Sequence, residues 1–461
     1  MNEYMTTPFD FDDLAYLAVP LPDDIAALHK QGRFAEEAAR IDHLLTLTPD
    51  TPMKKRLMLE KFIADGLTED YNTDEATLVR KIRERYPAFT AEHLHQIMDM
   101  GHADYIRRPD GFYFENAARS NIFNCCSSFL HRLDRPDWRE TDEENGTLHE
   151  NIAQMRKNGY RAIRYTVKES IQPDERHIQE GKWFRAWLPY PAVTPEHRDI
   201  ELKKVSHMTQ VTDHPIRSAY TQFLYRAGEK YEIEFAFTNH AQYQDIDEAY
   251  VTEGHPYMPQ YLEEQYPHIV FTPYLRMLEK EITGGKGSPL TRARRIYEYI
   301  THNVKYSYMR EYKYLDNIPM YAALNHRGDC GVQALLFITL CRISGIPARW
   351  QSGNYIRPDH IGSHDWALFY IAPYGWLQCD PSFGGGAYRI GDTLVHDFYF
   401  CHADPFRFIT CTEFQHQLAP AKTYMRLDPY DMQSGEAEYE NMALTSDDVY
   451  TWKEVLEGVD L

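Results

Sequence analysis

The sequence predicts an α+β protein in which one buried helix packs on an antiparallel sheet, preceded by an antiparallel β domain and a helical N-terminal region. Three observations predict it. The first third repeats apolar residues at helical spacing. The second third switches to an alternation of period two. Beyond residue 328 a glycine and an aspartate precede a long apolar helical run, and two alternating segments follow it.

The helical region spans 1–140. Asp23 to Arg40 and Met53 to Leu67 carry helical apolar spacing, and Asp74 to Arg83 opens with acids and closes with bases, which complements a helix dipole. Thr90-Ala91-Glu92-His93 has the form of a capping box. His93 and His95 lie two apart, so a helix points them in different directions and a metal site there is not expected. Adjacent Cys125 and Cys126 fill core space. Basic Arg80 to Arg85 and a wing-like hairpin over Tyr105–Phe112 raise DNA binding, but solvated helix faces explain them at least as well. Arg135 to Gly146 is polar and proline-marked and reads as a linker.

The β domain, 155–250, is sandwich-like. Tyr160–Val167, Phe184–Leu188 and Tyr231–Phe237 all alternate. Gly284 to Pro289 is a hinge, wrongly spaced for a phosphate loop. Leu290–Asn303 is a helix that opens the third domain, 265–415. Past 415 the chain turns acidic, as in Gly435–Glu440, and 416–461 is expected as an acidic tail that either wraps the surface or is partly mobile.

Composition bounds the function. The 461 residues are 43% hydrophobic and 26% charged, a globular balance for two to four domains. The net charge of −20 disfavours nucleic acid and anionic membranes as partners. Seven cysteines without regular spacing make neither a disulfide framework nor a zinc-binding pair of CxxC units, so no metal and no cofactor is expected. Met1 to Met5 lacks a basic segment leading into an apolar run, and no stretch is long and apolar enough to span a membrane. A cytoplasmic location is expected, which suits a free thiol.

The chemistry centres on Cys330. Asp329 caps a helix that is apolar or small from Cys330 to Ser344, and Gly345-Ile346-Pro347 ends it. A thiol at a helix N-terminus is biased toward thiolate. Trp366–Ile371 and Trp376–Cys379 form a hairpin about Ala372–Gly375. A register symmetric about residue 372 sets His364 opposite Asp380, close enough for an imidazole–carboxylate hydrogen bond. Nucleophile, base and orienting acid are then Cys330, His364 and Asp380. A lone cysteine before an apolar helix is more often a small core residue; the three together favour catalysis. Cys341, Cys379 and Cys401 are weaker thiols: the first is mid-helix, the second points away from Asp380, and the third lacks nucleophile–base geometry toward His402.

These residues resemble the transglutaminase-like superfamily of papain-like thiol enzymes. The resemblance rests on Arg327-Gly328-Asp329-Cys330-Gly331, Leu340 to Arg349, His364-Asp365-Trp366 and Asp380-Pro381-Ser382, with Ala293 to Tyr306 upstream and Trp187-Leu188-Pro189-Tyr190-Pro191 in the β domain. It covers about 155–410. It implies Cys330 as nucleophile, His364 as general base and acid, Asp380 as orienter, the Cys330 backbone N–H as an oxyanion donor and Tyr306 as a second donor. Leu368 departs from the acidic residue the family often places two positions after the tryptophan. The implied activity is cysteine hydrolysis of amide bonds in peptides or proteins, with acyl transfer to amines as a variant. The competing expectation is an inactive scaffold that binds peptide, carbohydrate or protein. The sequence leaves the oligomeric state open.

Overall fold

A computed structural model describes residues 10–49, 51–135, 146–357 and 360–461. The expected linker at 135–146 lies, apart from its two ends, outside the described residues, as does the N-terminal pentapeptide.

The N-terminal region is helical as its periodicity requires, with helices Asp23–Lys30, Phe34–Leu47, Pro52–Asp70, Glu75–Arg83 and Ala91–Asp99. Asp74 caps one of them by accepting from the Thr77 N–H, 2.7 Å away. The hairpin Tyr105–Arg108/Gly111–Phe114 forms, and a short strand Thr73–Asp74 joins it. One helix, Gly146–Asn158, was not anticipated between linker and β domain.

The β domain is a sandwich, and the end of the chain completes it. One sheet is ordered Val449–Asp460, Tyr160–Pro173, Tyr231–Gln242, His197–Val205; the other is ordered Met442–Ala443, Glu436–Tyr439, Trp183–Pro189, Ser218–Leu224, Thr209–Val211. The expected acidic tail is therefore corrected. Residues 436–439 are buried at every position and pair with Trp183–Pro189, and Val449–Asp460, though largely exposed, pairs along its length with Tyr160–Pro173, so both are sheet strands. Counting acids hid this, because Glu436 and Glu438 are neutralised inside by Lys422, Arg426 and Arg185.

In the third domain the central helix α1 (Cys330–Ile343) is buried along almost its whole length. Beside it run β1 (Ala348–Arg357), β2 (His360–Ile371), β3 (Gly375–Cys379), β4 (Phe400–Cys401) and β5 (Arg407–Cys411), in the antiparallel order β4-β3-β2-β1-β5. Successive strand residues face opposite sides. Ala367, Phe369 and Ile371 of β2, Ala348 and Trp350 of β1, and Cys379 of β3 pack into the same core as α1. Phe337 meets Phe369 edge-on, with ring centroids 5.5 Å apart. Burying such a ring contributes about 1.5–3 kcal/mol. A second helix, Pro289–Asn303, covers α1 through Ala293, Ile296 and Ile300. No described helix is long and apolar enough to cross a membrane.

Candidate active site

Asp329 adopts an extended backbone and caps α1, accepting from the Val332 N–H at 3.0 Å and from the Tyr312 hydroxyl. Gly331 lets the helix end approach the sheet: a Cβ there would collide with the Tyr312 hydroxyl, the Asp365 carboxylate and the Trp350 ring. This brings Cys330 against β2, and there its sulfur meets an unexpected partner. Sγ donates to Asp365 Oδ2 at 3.3 Å. Asp365 Oδ1 accepts from the Gln433 side-chain amide. Behind Asp365 stands the carboxyl of Asp431, itself 3% exposed.

The consequence is electrostatic. Burial, then the charge of Asp329, pushes the Asp365 carboxyl up to about 8. Burial likewise takes Asp329 to about 6 and Asp431 well above the carboxylate range. Burial first, then Asp365 and Asp329, holds the Cys330 thiol well above its ordinary value. The expected thiolate is thus corrected. The helix dipole is present, but it acts against desolvation and two neighbouring acids, and the group is a thiol at neutral pH.

His364 lies one residue earlier, so it projects from the other face of β2. Its neighbours agree: the ring stacks on Phe383 with centroids 4.1 Å apart and lies near Trp366, two residues on along the same face. Nε2 sits 2.7 Å from Asp380 Oδ2, and Arg407 Nη1 lies 2.8 Å from the same oxygen. Arg407 Nη2 also reaches Asp404 Oδ2 at 3.0 Å. Asp380 additionally caps the helix Pro381–Arg389 through the Phe383 N–H. Burial opposes its charge, but His364 and Arg407 outweigh burial and hold the carboxyl well below the usual range.

The structure therefore brings His364 and Asp380 together and gives Cys330 to Asp365. The expected imidazole contact to Sγ is replaced by a carboxylate contact because of strand alternation. The register also differs from the symmetric expectation. Ala367 pairs with Cys379, which sets Asp380 beside Trp366 and diagonal to His364. Same-face diagonal side chains still reach each other, so the pair forms despite a two-residue offset. Tyr306 pairs with Gly328, two residues before Cys330. Burial and the nearby Cys330 and Asp329 charges raise its phenol. Leu368 is buried on the His364 side of β2, where an acid would add to Asp380.

Sequence reasoning missed Asp365, Asp431 and Gln433. The signal for Asp365 was present: Ala367, Phe369 and Ile371 mark the odd positions as the core side, so the aspartate, not the histidine, faces α1. All seven cysteines are free and buried. A metal could be held at one other place among the described residues. His29 Nδ1 lies 3.1 Å from Glu37 and 2.8 Å from Glu60. Arg56, 2.6 Å from Glu60, already supplies positive charge there. Burial opposes a charged His29, yet the two glutamates raise it to about 10, so an internal ion network accounts for the cluster.

Residues 276–381 match the family model described as the transglutaminase-like superfamily. No curated protein matches the chain. Among solved structures, a Cytophaga hutchinsonii protein provisionally described as a cysteine protease is 15% identical, with a TM-score of 0.42 over 65% of this chain and 91% of that one. The periplasmic domain of TgpA from Pseudomonas aeruginosa is 14% identical, with a TM-score of 0.28 over 53% of this chain and 95% of that one. A Parabacteroides distasonis protein provisionally described as a protease is 11% identical, with a TM-score of 0.20 over 45% and 41%.

Proposed function

We propose, from the match of residues 276–381 to the transglutaminase-like superfamily model, that the chain is a cysteine hydrolase of amide bonds in peptides or proteins, with Cys330 as nucleophile and Asp365 as the acceptor of its proton. The observation that carries the reading is the 3.3 Å contact between Sγ and Asp365 Oδ2. A carboxylate raised to about 8 is a far stronger base than an ordinary aspartate, and near that pH it both takes and returns a proton readily. Sγ attacks the carbonyl carbon as its proton passes to Asp365. The C–N bond breaks, the leaving nitrogen takes that proton, and an S-acyl intermediate remains. Water then adds to the acyl carbon, and its departure as carboxylic acid returns the proton to sulfur. Asp329 takes the Val332 N–H, and the N–H groups of Cys330 and Gly331 ahead of it, which have no intrahelical acceptor, are the ones that can serve the oxyanion. In this reading the His364–Asp380–Arg407 group braces the opposite face of β2, and the free thiols suit a reducing compartment.

A second reading is favoured by one observation: the thiol is buried and protonated, as expected of a binding scaffold without turnover. Iodoacetamide labelling and hydrolysis of a peptide library by the wild type, Cys330→Ala, Asp365→Asn and His364→Asn decide among these. Turnover lost in Cys330→Ala and Asp365→Asn supports the proposal. Loss in His364→Asn with Asp365→Asn still active would assign the base to the imidazole. No turnover by the wild type, with Cys330 alkylated no faster than Cys341, overturns the enzyme.

A further inference from the structure

A cavity of about 1160 Å³ opens beside the acid cluster, between the helix Pro52–Asp70, residues 311–314 and residues 424–449. Its wall includes Asp431 and Gln433, which touch the far side of Asp365 from Cys330, so the wall residue and Asp365 lie in line between the cavity and the thiol. The lining is acidic: Glu69, Asp70, Asp428, Asp431 and Asp447 face it, and among the described residues none of the five is in an ion pair. The cations on the same wall are engaged elsewhere. Arg426 holds Glu436 at 2.8 Å, Arg176 holds Asp174 at 2.7 Å, and Lys313 reaches the Leu427 carbonyl at 3.2 Å.

The acids are graded in depth. Glu69, Asp428 and Asp447 are exposed and form a rim. Asp431 is 3% exposed, and its Oδ1 is buried without a hydrogen-bond partner. A buried carboxyl oxygen left unpaired is costly, and a cation brought by a ligand would both supply its partner and draw the carboxyl, which burial otherwise keeps protonated, into its ionised form. Phe62, Tyr314, Met425 and Leu444 supply apolar wall for an aliphatic stem between rim and depth. Rim acids on a chain of net charge −20 attract cations from a distance.

We propose that this cavity takes a basic side chain of the peptide substrate, its ammonium or guanidinium pairing with Asp431 and its stem lying on the apolar wall, so that the neighbouring amide is presented toward Cys330. The proposal rests on the hydrolase reading for its purpose, and its test does not. Full-length Cys330→Ala is titrated calorimetrically with a short lysine peptide and its norleucine analogue. The lysine peptide binds at least about tenfold tighter, the size of one charge-assisted hydrogen bond, and added salt erodes the preference. Asp431→Asn brings the two peptides within about threefold of each other. If that variant does not fold, the exposed pair Glu69→Gln/Asp428→Asn serves, and the preference falls by about threefold as steering charge is lost. Equal affinity for the two peptides, no measurable binding of the lysine peptide, or a preference untouched in the variants overturns the proposal. A preference kept by a wild type that hydrolyses nothing sinks the hydrolase and leaves the cavity assignment standing; turnover without the preference does the reverse.

Discussion

The two faces of β2 carry similar groups and treat them in opposite ways. On the His364 face every buried charge has a counter-charge in contact: Asp380 meets His364 and Arg407, and Arg407 also meets Asp404. On the Asp365 face carboxyls crowd one another and a thiol. Both faces are nearly dry, so desolvation penalises charge on both. Counter-charge decides the outcome, driving Asp380 down and Asp365 up to about 8. A paired network steadies a fold, whereas groups held away from their ordinary protonation state next to a nucleophile mark a site.

The largest expected effect breaks the comparison on the thiol side. Asp365→Asn keeps the shape and removes the base, so kcat/KM falls by about 10²–10⁴-fold. The pH profile carries the discrimination. With Asp365 as base, the rising limb of kcat/KM lies near pH 8. A rising limb that persists unchanged in Asp365→Asn and disappears in His364→Asn would mean that the thiol reaches His364 during turnover.

On the other face the effect is on stability. Arg407→Met leaves Asp380 and Asp404 buried without their shared cation, which costs about 3–5 kcal/mol. Urea unfolding of the full chain measures it. A loss under about 1 kcal/mol would show that the pairing on this face is dispensable, and the contrast would fail.

The two faces also respond to pH with opposite signs. Asp365 has an ordinary value of 3.8 and about 8 in the fold. Between these values it is protonated when folded and ionised when unfolded, so its contribution to stability is lost as pH rises from about 4 to about 8. Asp380 is held below its ordinary value, so its contribution is present above about 4 and lost on acidification. Asp365→Asn should flatten the fall in Tm between pH 5 and 8, windows set by these values, and Asp380→Asn should flatten the acid limb. Exchange of the two effects between variants would invert the assignment.

Much of this architecture is legible in local pattern. The capped apolar helix at Cys330, the alternation in 160–237 and the hairpin about residue 373 follow from periodicity and turn chemistry, and all three form. What escaped is non-local. Residues 436–460 carry an acidic composition that suits a solvated tail, and only pairing with Trp183–Pro189 and Tyr160–Pro173 across more than 200 residues makes them sandwich strands. At the site the parity of β2 could be read from Ala367, Phe369 and Ile371, but motif order drew attention to His364. Asp431 and Gln433 arrive from distant sequence and carry no local signal at all.

The smallest expected effect sharpens the thiol side further. The Gln433 amide donates to Asp365 Oδ1 and so favours the ionised carboxylate. Gln433→Ala removes that donor and should raise the Asp365 value, moving the rising limb of kcat/KM upward by about half a pH unit to one, equivalent to about 1 kcal/mol. Neither Arg407 nor Asp380 touches this amide, so the acid limb of stability should stay in place. An unmoved rising limb would mean that the group titrating there is not Asp365, and with that the assignment of the base would fall even if Cys330 remained the nucleophile.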